Sequence, residues 1–468
     1  MLFVEFRFLA FFALVLAVAW SLRGDRARKG WLLAASYAFY AAWDWRFLGL
    51  ILLSTAVDWI VGARIHAAEG RRAVQRGWLA VSLTVNLGLL VTYKYFDFFA
   101  ESLNALLAWL GIGTSMPVLE LVLPVGISFY TFQTLSYSLD IFFGRLRPAR
   151  SPLDLALFVA FFPQLVAGPI VLAKEFLPQL AERPRWQDVD ARRALVLFFV
   201  GFVKKSCLSD ALSPYVDAVH AAPEAVGTAA AWLGAAAFSA QIYCDFSGYT
   251  DMAIACAALL GYRLPKNFDA PYLTRTVGSF WTHWHMTLGR WFREYLYVPL
   301  GGNRRGERRS LVNIMIVFLV SGLWHGAAWT FVVWGLIHGL FVSAERTHRG
   351  RWLTRMPLLP SILYVNLVWA ISMVVFRAQD MSGATALLRA MVVPTAHVGT
   401  AGAPAVPAWI GPTLGAAFLV HALWQRLGIE RRWAGLSPAA FGLTYGVAVA
   451  LALPWVSTNP APYIYFAF

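Results

Sequence analysis

The chain has 468 residues, of which 59% are hydrophobic and 14% charged, with a mean hydropathy of +0.59. A soluble globular domain carries about a quarter charged residues, so this composition excludes a soluble protein and points to a polytopic membrane protein. The net charge is +14, but the basic residues sit in short clusters between apolar runs, a pattern that membrane topology explains and nucleic-acid binding does not.

A bilayer crossing needs about 17–25 apolar residues. In chain order the candidate spans are Leu2–Leu22, Gly30–Trp43, Leu48–Val61, Gly77–Tyr95, Leu119–Phe143, Ala194–Cys207, Ala229–Leu260, Leu311–Trp324, Ala328–Ser343, Ile362–Phe376, Ile410–Trp424 and Ala439–Val456. Several are short and suit tilted, paired or re-entrant segments. The first run contains Ala17-Val18-Ala19, a triplet resembling a signal-cleavage site. Glu5 opposes Arg7 ahead of it and many spans follow, so an uncleaved first span is expected.

Charge between the runs sets orientation. Basic clusters stand at Arg23–Lys29, Arg64–Arg76, Arg145–Arg150, Arg304–Arg309, Arg346–Arg355 and Arg426–Arg432. No Lys or Arg occurs from Ser206 to Tyr262, and 379–413 holds only Arg389. The positive-inside rule puts the clusters in the cytoplasm and both chain ends outside. The segment 151–179 carries Pro163, Gly168 and Pro169 inside an apolar run between two basic clusters, which predicts a re-entrant pair. The stretch Pro265–Pro299 is too polar to span and too aromatic for a free loop; it predicts helices lying in the cytoplasmic interface and folded inward.

Two histidines stand out. The runs Leu311–Trp324 and Ala328–Ser343 lie between two cytoplasmic clusters, so they must go out and return. Fourteen residues rise roughly 21 Å, short of a roughly 30 Å hydrocarbon core. His325 is therefore expected at the buried tip of a short hairpin, where irregular backbone is tolerated only against protein or a cavity. A neutral imidazole there can take a proton from a hydroxyl and return it. The plainer alternative is a buried histidine satisfied by backbone carbonyls. His285, in WTHWHM, is a second candidate against the alternative of an interfacial histidine. Its neighbour His283 is two residues away and off its helix face. No Cys or carboxylate stands within two helical turns, so no metal site is expected, and Cys207, Cys244 and Cys256 have neither metal nor redox spacing. His283 and His338 read as structural.

A polar knot, Gln241-Ile-Tyr-Cys-Asp245-Phe-Ser-Gly-Tyr249-Thr-Asp251, interrupts the Ala229–Leu260 run. A paired-carboxylate acid and base is one reading, but i, i+6 spacing separates the two groups on a helix. The preferred reading is a buried polar network, with Arg275, Arg290 and Arg293 as the candidate counter-cations.

Six blocks appear in order: LPVGISFYTFQTLSYSLDIFFG at 123–144, FFPQLVAGPI at 161–170, QIYCDFSGYTDMAIA at 241–255, NFDAPYLT through LGGNRRG at 267–306, SGLWHGAAWTFVVWGLIHG at 321–339, and VVFRAQD at 374–380. Together they resemble the membrane-bound O-acyltransferase family, in its bacterial branch that acetylates exported polysaccharides such as alginate. The resemblance implies an all-α polytopic membrane fold of roughly 10–12 transmembrane helices, with re-entrant and interfacial helices around a central tunnel. It would form a single integral-membrane domain over 1–468, with its core at about 119–345. His325 matches the family's catalytic histidine and His285 its second functional histidine. Asp245, Tyr249, Trp324, Asn267 and Arg290 are expected to line the substrate tunnel.

The implied activity moves an acetyl group from a cytoplasmic thioester, acetyl-CoA or an acylated donor protein, across a bacterial inner membrane. Periplasmic partner proteins would then esterify the polysaccharide. No permanently bound cofactor and no nucleic-acid partner are expected. Alternatives within the family are D-alanyl transfer to teichoic acid from an acyl-carrier protein, and peptidoglycan O-acetylation. A transporter would require matched inverted repeats, and none is present in the sequence.

Overall fold

The computed structural model describes residues 1–347, 350, 352–394, 406–457 and 460–464, with no β-strand among them. Arg349, Arg351 and the 395–405 part of the Lys/Arg-poor loop lie outside the described residues. The chain forms two compact units, Met1–Asp190 with Cys256–Pro265, and Ala191–Ala255 with Lys266–Phe468.

The first unit contains α1 (Phe6–Ser21), α2 (Asp25–Asp44), α3 (Leu48–Ala67), α4 (Arg72–Leu90), α5 (Phe96–Trp109) and α6 (Ile127–Phe142). Asp58 of α3 sits at its polar centre. Its carboxylate accepts from Ser82 of α4 (2.5 Å), Ser138 of α6 (2.7 Å) and Asn86 of α4 (3.0 Å), so three neutral donors satisfy a buried charge site. The expected span Leu119–Phe143 is corrected: only Ile127–Phe142 of it is helical. Pro117 and Pro124 break the ladder, while Glu120 and Gly126 adopt positive φ of 50° and 77°. Asp97 of α5 pins this extended stretch by accepting from the N–H groups of Leu119 (2.7 Å) and Glu120 (2.9 Å).

The 151–179 segment folds as short buried helices, α7 (Pro152–Ala160), α8 (Phe162–Leu165) and α9 (Ala173–Phe176), not as one crossing. The start of α7 follows capping chemistry: Pro152 stands at its first position, and the Ser151 hydroxyl accepts from Asp154 N–H at 3.2 Å.

The second unit begins with α10 (Ala191–Phe202), a π-helical turn (Val203–Ser209) and α11 (Asp210–Ala221). Then come α12 (Thr228–Leu259, whose last turn belongs to the first unit) and the short α13 (Val277–Phe280) and α14 (Met286–Phe292). The hairpin α15 (Glu307–His325) and α16 (Trp329–Arg346) follows, then α17 (Leu358–Arg377), α18 (Met381–Val392), α19 (Ile410–Leu427), α20 (Ile429–Ala434) and α21 (Pro438–Ala452). Helix α15 starts four residues earlier than expected. Its 19 residues rise about 28 Å, so packing rather than a short arm buries its tip. By length and composition four stretches among the described residues suffice to cross a membrane: Asp25–Ala67, Arg72–Trp109, Leu358–Arg377 and Pro438–Trp455. The fold is an all-α polytopic membrane fold.

Candidate active site

His325 ends α15, and glycines bring its partner helix against it. A Cβ on Gly322 would overlap the Phe331 carbonyl oxygen, and one on Gly335 would overlap the Phe318 carbonyl oxygen. The backbones of α15 and α16 therefore touch one turn before the tip, as small residues allow in membrane helices. Gly326 is needed for space rather than for its dihedrals: its φ is −165°, but a Cβ would enter the Phe331 ring. His325 is 3% exposed. Its ring lies edge-on to Trp324 (5.0 Å), Trp334 (5.0 Å) and Phe376 of α17 (5.4 Å). Trp334 Nε1 and Thr330 Oγ1 share one face of α16 at i, i+4 spacing. Both are buried donors with no hydrogen-bond partner among the described residues.

His285 reaches the same place from the 265–299 segment. That segment turns inward as expected: Trp284, His285, Trp291 and Phe292 are all buried. Glu345 near the end of α16 anchors its start, accepting from the N–H groups of Val277 (2.7 Å) and Gly278 (2.8 Å) at the orphan amides of α13. His285 caps α14 in the left-handed region, φ 43°, a strained position for a residue with a Cβ. Two backbone bonds hold it there, Met286 N–H to Asn267 O (2.9 Å) and Asp269 N–H to His283 O (2.9 Å). The His285 ring meets Phe246 of α12 at 4.7 Å and Trp324 at 5.7 Å. Trp324 thus borders both histidines. Burial pushes the His285 pKa down to about 3, so the ring is neutral at physiological pH.

The other two histidines of this region have local bonds. Trp281 Nε1–H donates to His338 Nδ1 (3.4 Å), His338 Nε2 meets Ser372 Oγ (2.9 Å), and Ser372 donates to Trp369 O (2.8 Å). His283 Nδ1 lies 2.9 Å from Ser279 O.

The remaining expected residues fall elsewhere. Gly201 and Gly248 bring α10 and α12 together; a Cβ on either would press the other's carbonyl oxygen. There the π-helical turn presents two lysines to α12. Lys205 Nζ pairs with Asp245 (2.6 Å) and Asp210 (2.9 Å), and Lys204 Nζ with Asp251 (2.7 Å). The expected counter-cations Arg275, Arg290 and Arg293 are therefore replaced by Lys205 and Lys204, whose reach depends on a helix irregularity that periodicity does not show. Asp245 also accepts from Ile464 N–H (2.8 Å), and Tyr249 packs edge-on to Tyr463 at 4.3 Å. Asp245 and Tyr249 thus meet residues near the C-terminal end. Arg290 is half-buried in the last turn of α14. Sequence reasoning missed Phe246, Trp334, Phe376 and Glu345, which are ordinary apolar or helix-end residues. It also missed Lys204 and Lys205, which were legible as two cations in one apolar run facing two carboxylates in another.

The membrane-bound O-acyltransferase family model matches residues 145–378, a range that holds both histidines. The chain is 39% identical to the probable alginate O-acetylase AlgI of Azotobacter vinelandii, over 78% of this chain and 73% of that protein. It is 38% identical to the Pseudomonas aeruginosa protein of the same name, over 82% and 73%. It is 36% identical to the peptidoglycan O-acetyltransferase of Helicobacter pylori, over 78% and 73%. With two buried histidines around one tryptophan in a helical membrane fold, the chain belongs to the membrane-bound O-acyltransferase family and is an O-acyltransferase.

Proposed function

We propose that this multi-pass membrane enzyme lies in the bacterial inner membrane and accepts an acetyl group from a cytoplasmic thioester, acetyl-CoA or an acylated protein. It passes the group outward for O-acetylation of an exported, alginate-like polysaccharide, completed by periplasmic partner proteins. The observation that carries this reading is the placement of His285 and His325 on either side of Trp324. Two buried imidazoles set among aromatic rings suit transfer of an acyl group without loss to water.

In this reading His325 takes the proton from an acceptor hydroxyl as its oxygen bonds to the thioester carbonyl carbon. The carbon–sulfur bond then breaks, and the proton passes to the leaving sulfur. The buried donors Trp334 Nε1–H and Thr330 Oγ1–H, on the helix packed against His325, suit the charge that develops on the carbonyl oxygen. His285 orients the acceptor. Asp245 and Tyr249, engaged with Lys205 and the C-terminal residues, support the walls rather than the chemistry.

The acyl group and acceptor are tested by deleting the gene, complementing with the full chain, and identifying the acid released from the cell's polymers by mild alkali. Acetate that disappears on deletion and returns on complementation supports the reading. D-alanine following that pattern would replace acetyl with the D-alanyl alternative. Acetate on peptidoglycan alone would move the acceptor, and no change in any ester would sink the proposal.

A further inference from the structure

Asn267 is the only residue of the 265–299 segment whose side chain and backbone both grip the His285 turn among the bonds described above. Its Oδ1 is within reach of three groups: Thr287 Oγ1 at 2.8 Å, His285 Nδ1 at 3.2 Å and Thr287 N–H at 3.3 Å. Amide oxygen and nitrogen are assigned from such networks rather than seen. Here the assignment is forced, because Thr287 N–H is a backbone group that only donates. An amide nitrogen in that place would oppose it. With the oxygen fixed, Thr287 Oγ1 and His285 Nδ1 must both donate to it. Asn267 and His285 are each 1% exposed and Thr287 is 2% exposed, so water does not compete for these bonds.

We propose that Asn267 is a positioning residue that sets the tautomer of His285, placing the proton on Nδ1 and the basic lone pair on Nε2. A neutral imidazole has one donor and one acceptor nitrogen. Fixing Nδ1 as donor therefore makes Nε2 the acceptor. His285 can then accept a hydrogen bond at Nε2 from a donor group of the bound acceptor other than the reacting hydroxyl, whose single proton goes to His325, and does not donate one there. The strained left-handed backbone of His285 fits this role, since it aims the ring from a turn whose other strand is Asn267 itself. The same device serves wherever the second nitrogen of a working histidine is bonded to a fixed acceptor.

The role of Nε2 in catalysis rests on the acyl-transfer reading; the tautomer does not, so the two are tested apart. The direct probe is nitrogen NMR of the full chain in detergent with ¹⁵N-labelled histidine, the His285 signals being identified by their loss in His285→Gln. The expected result is a protonated Nδ1 and an unprotonated Nε2 at neutral pH. An unprotonated Nδ1 overturns the proposal. Groups that meet the ring include Phe246 from α12, Trp324 from α15, and Asn267 and Thr287 from its own segment, with the titratable His325 on the other side of Trp324.

In Asn267→Asp the same donors meet a carboxylate, so the His285 signals must become those of imidazolium at a higher pH than in the wild type. An unmoved titration counts against the proposal, and this variant carries the test if Asn267→Leu does not accumulate. Asn267→Leu should mix the tautomers and lower polymer ester formation on the order of 10–100-fold, with Asn267→Asp clearly more active than Asn267→Leu. Wild-type ester formation by a well-inserted Asn267→Leu overturns the functional half. If His325→Ala also acetylates normally, the acyl-transfer reading has failed, whatever the NMR shows.

Discussion

Replacing Lys205 by Met tests the ion network behind the polar knot. The ammonium lies 2.6 Å from Asp245 and 2.9 Å from Asp210, and the three side chains are 1%, 1% and 2% exposed. Met preserves length and apolar volume while removing the charge. Two carboxylates are then left buried together, and stripping one partner from a buried pair costs about 3–5 kcal/mol. Ile464 N–H still donates to Asp245, which places the expected loss toward the lower part of that range. At about 2.1 cal/mol/K per residue a chain of 468 residues shifts by about 1 °C per kcal/mol, so this is a fall in Tm on the order of 3–4 °C. The assay is thermal unfolding of the detergent-solubilised full chain followed by tryptophan fluorescence. A triple variant with Lys205→Met, Asp210→Asn and Asp245→Asn should recover most of the loss, because a neutral network of the same shape leaves no buried charge. An unchanged Tm for Lys205→Met, or a triple variant no better than the single one, refutes the reasoning.

Three further outcomes are expected. Gly335→Ala puts a methyl into the Phe318 carbonyl; it should cost about 1–3 kcal/mol and lower ester formation by shifting His325, read by Tm and polymer acetate together. Glu345→Ala removes the acceptor of two α13 amides, at about 1.5–3 kcal/mol per bond, while Glu345→Gln retains an amide oxygen and should lose less in the same unfolding assay. His285 also links stability to pH. Its pKa falls from 6.5 to about 3 on folding, so the unfolded chain binds a proton that the folded chain refuses. Its contribution is present above about pH 6.5 and is lost as pH falls toward 3, by up to about 1.4 kcal/mol per pH unit. Unfolding measured across that range should show a shallower decline in His285→Gln.

Much of the site was legible because its chemistry is conspicuous in an apolar chain. His325 and His285 stand out as titratable groups where few belong, and glycines beside His325 announce the close hairpin. Helix α12 follows its apolar run to within a residue at each end. What the sequence concealed depends on three-dimensional neighbours. The apolar stretch before α6 has span-like hydropathy, yet prolines and positive-φ residues keep it extended. The counter-cations of Asp245 and Asp251 come from a π-helical turn, which hydropathy does not register. The bond from Ile464 to Asp245 joins residues 219 apart in sequence, and no local pattern encodes it. The aromatic walls, Phe246, Trp334 and Phe376, look like any other core residue until the fold sets them against an imidazole.

The most direct test of the account is the acetate ester content of exported polymer in cells whose only copy carries His325→Gln, with membrane protein levels matched to wild type. Loss of general-base catalysis lowers rates about 10²–10⁴-fold, so the account predicts ester content indistinguishable from the deletion strain. Wild-type ester content in those cells would contradict it.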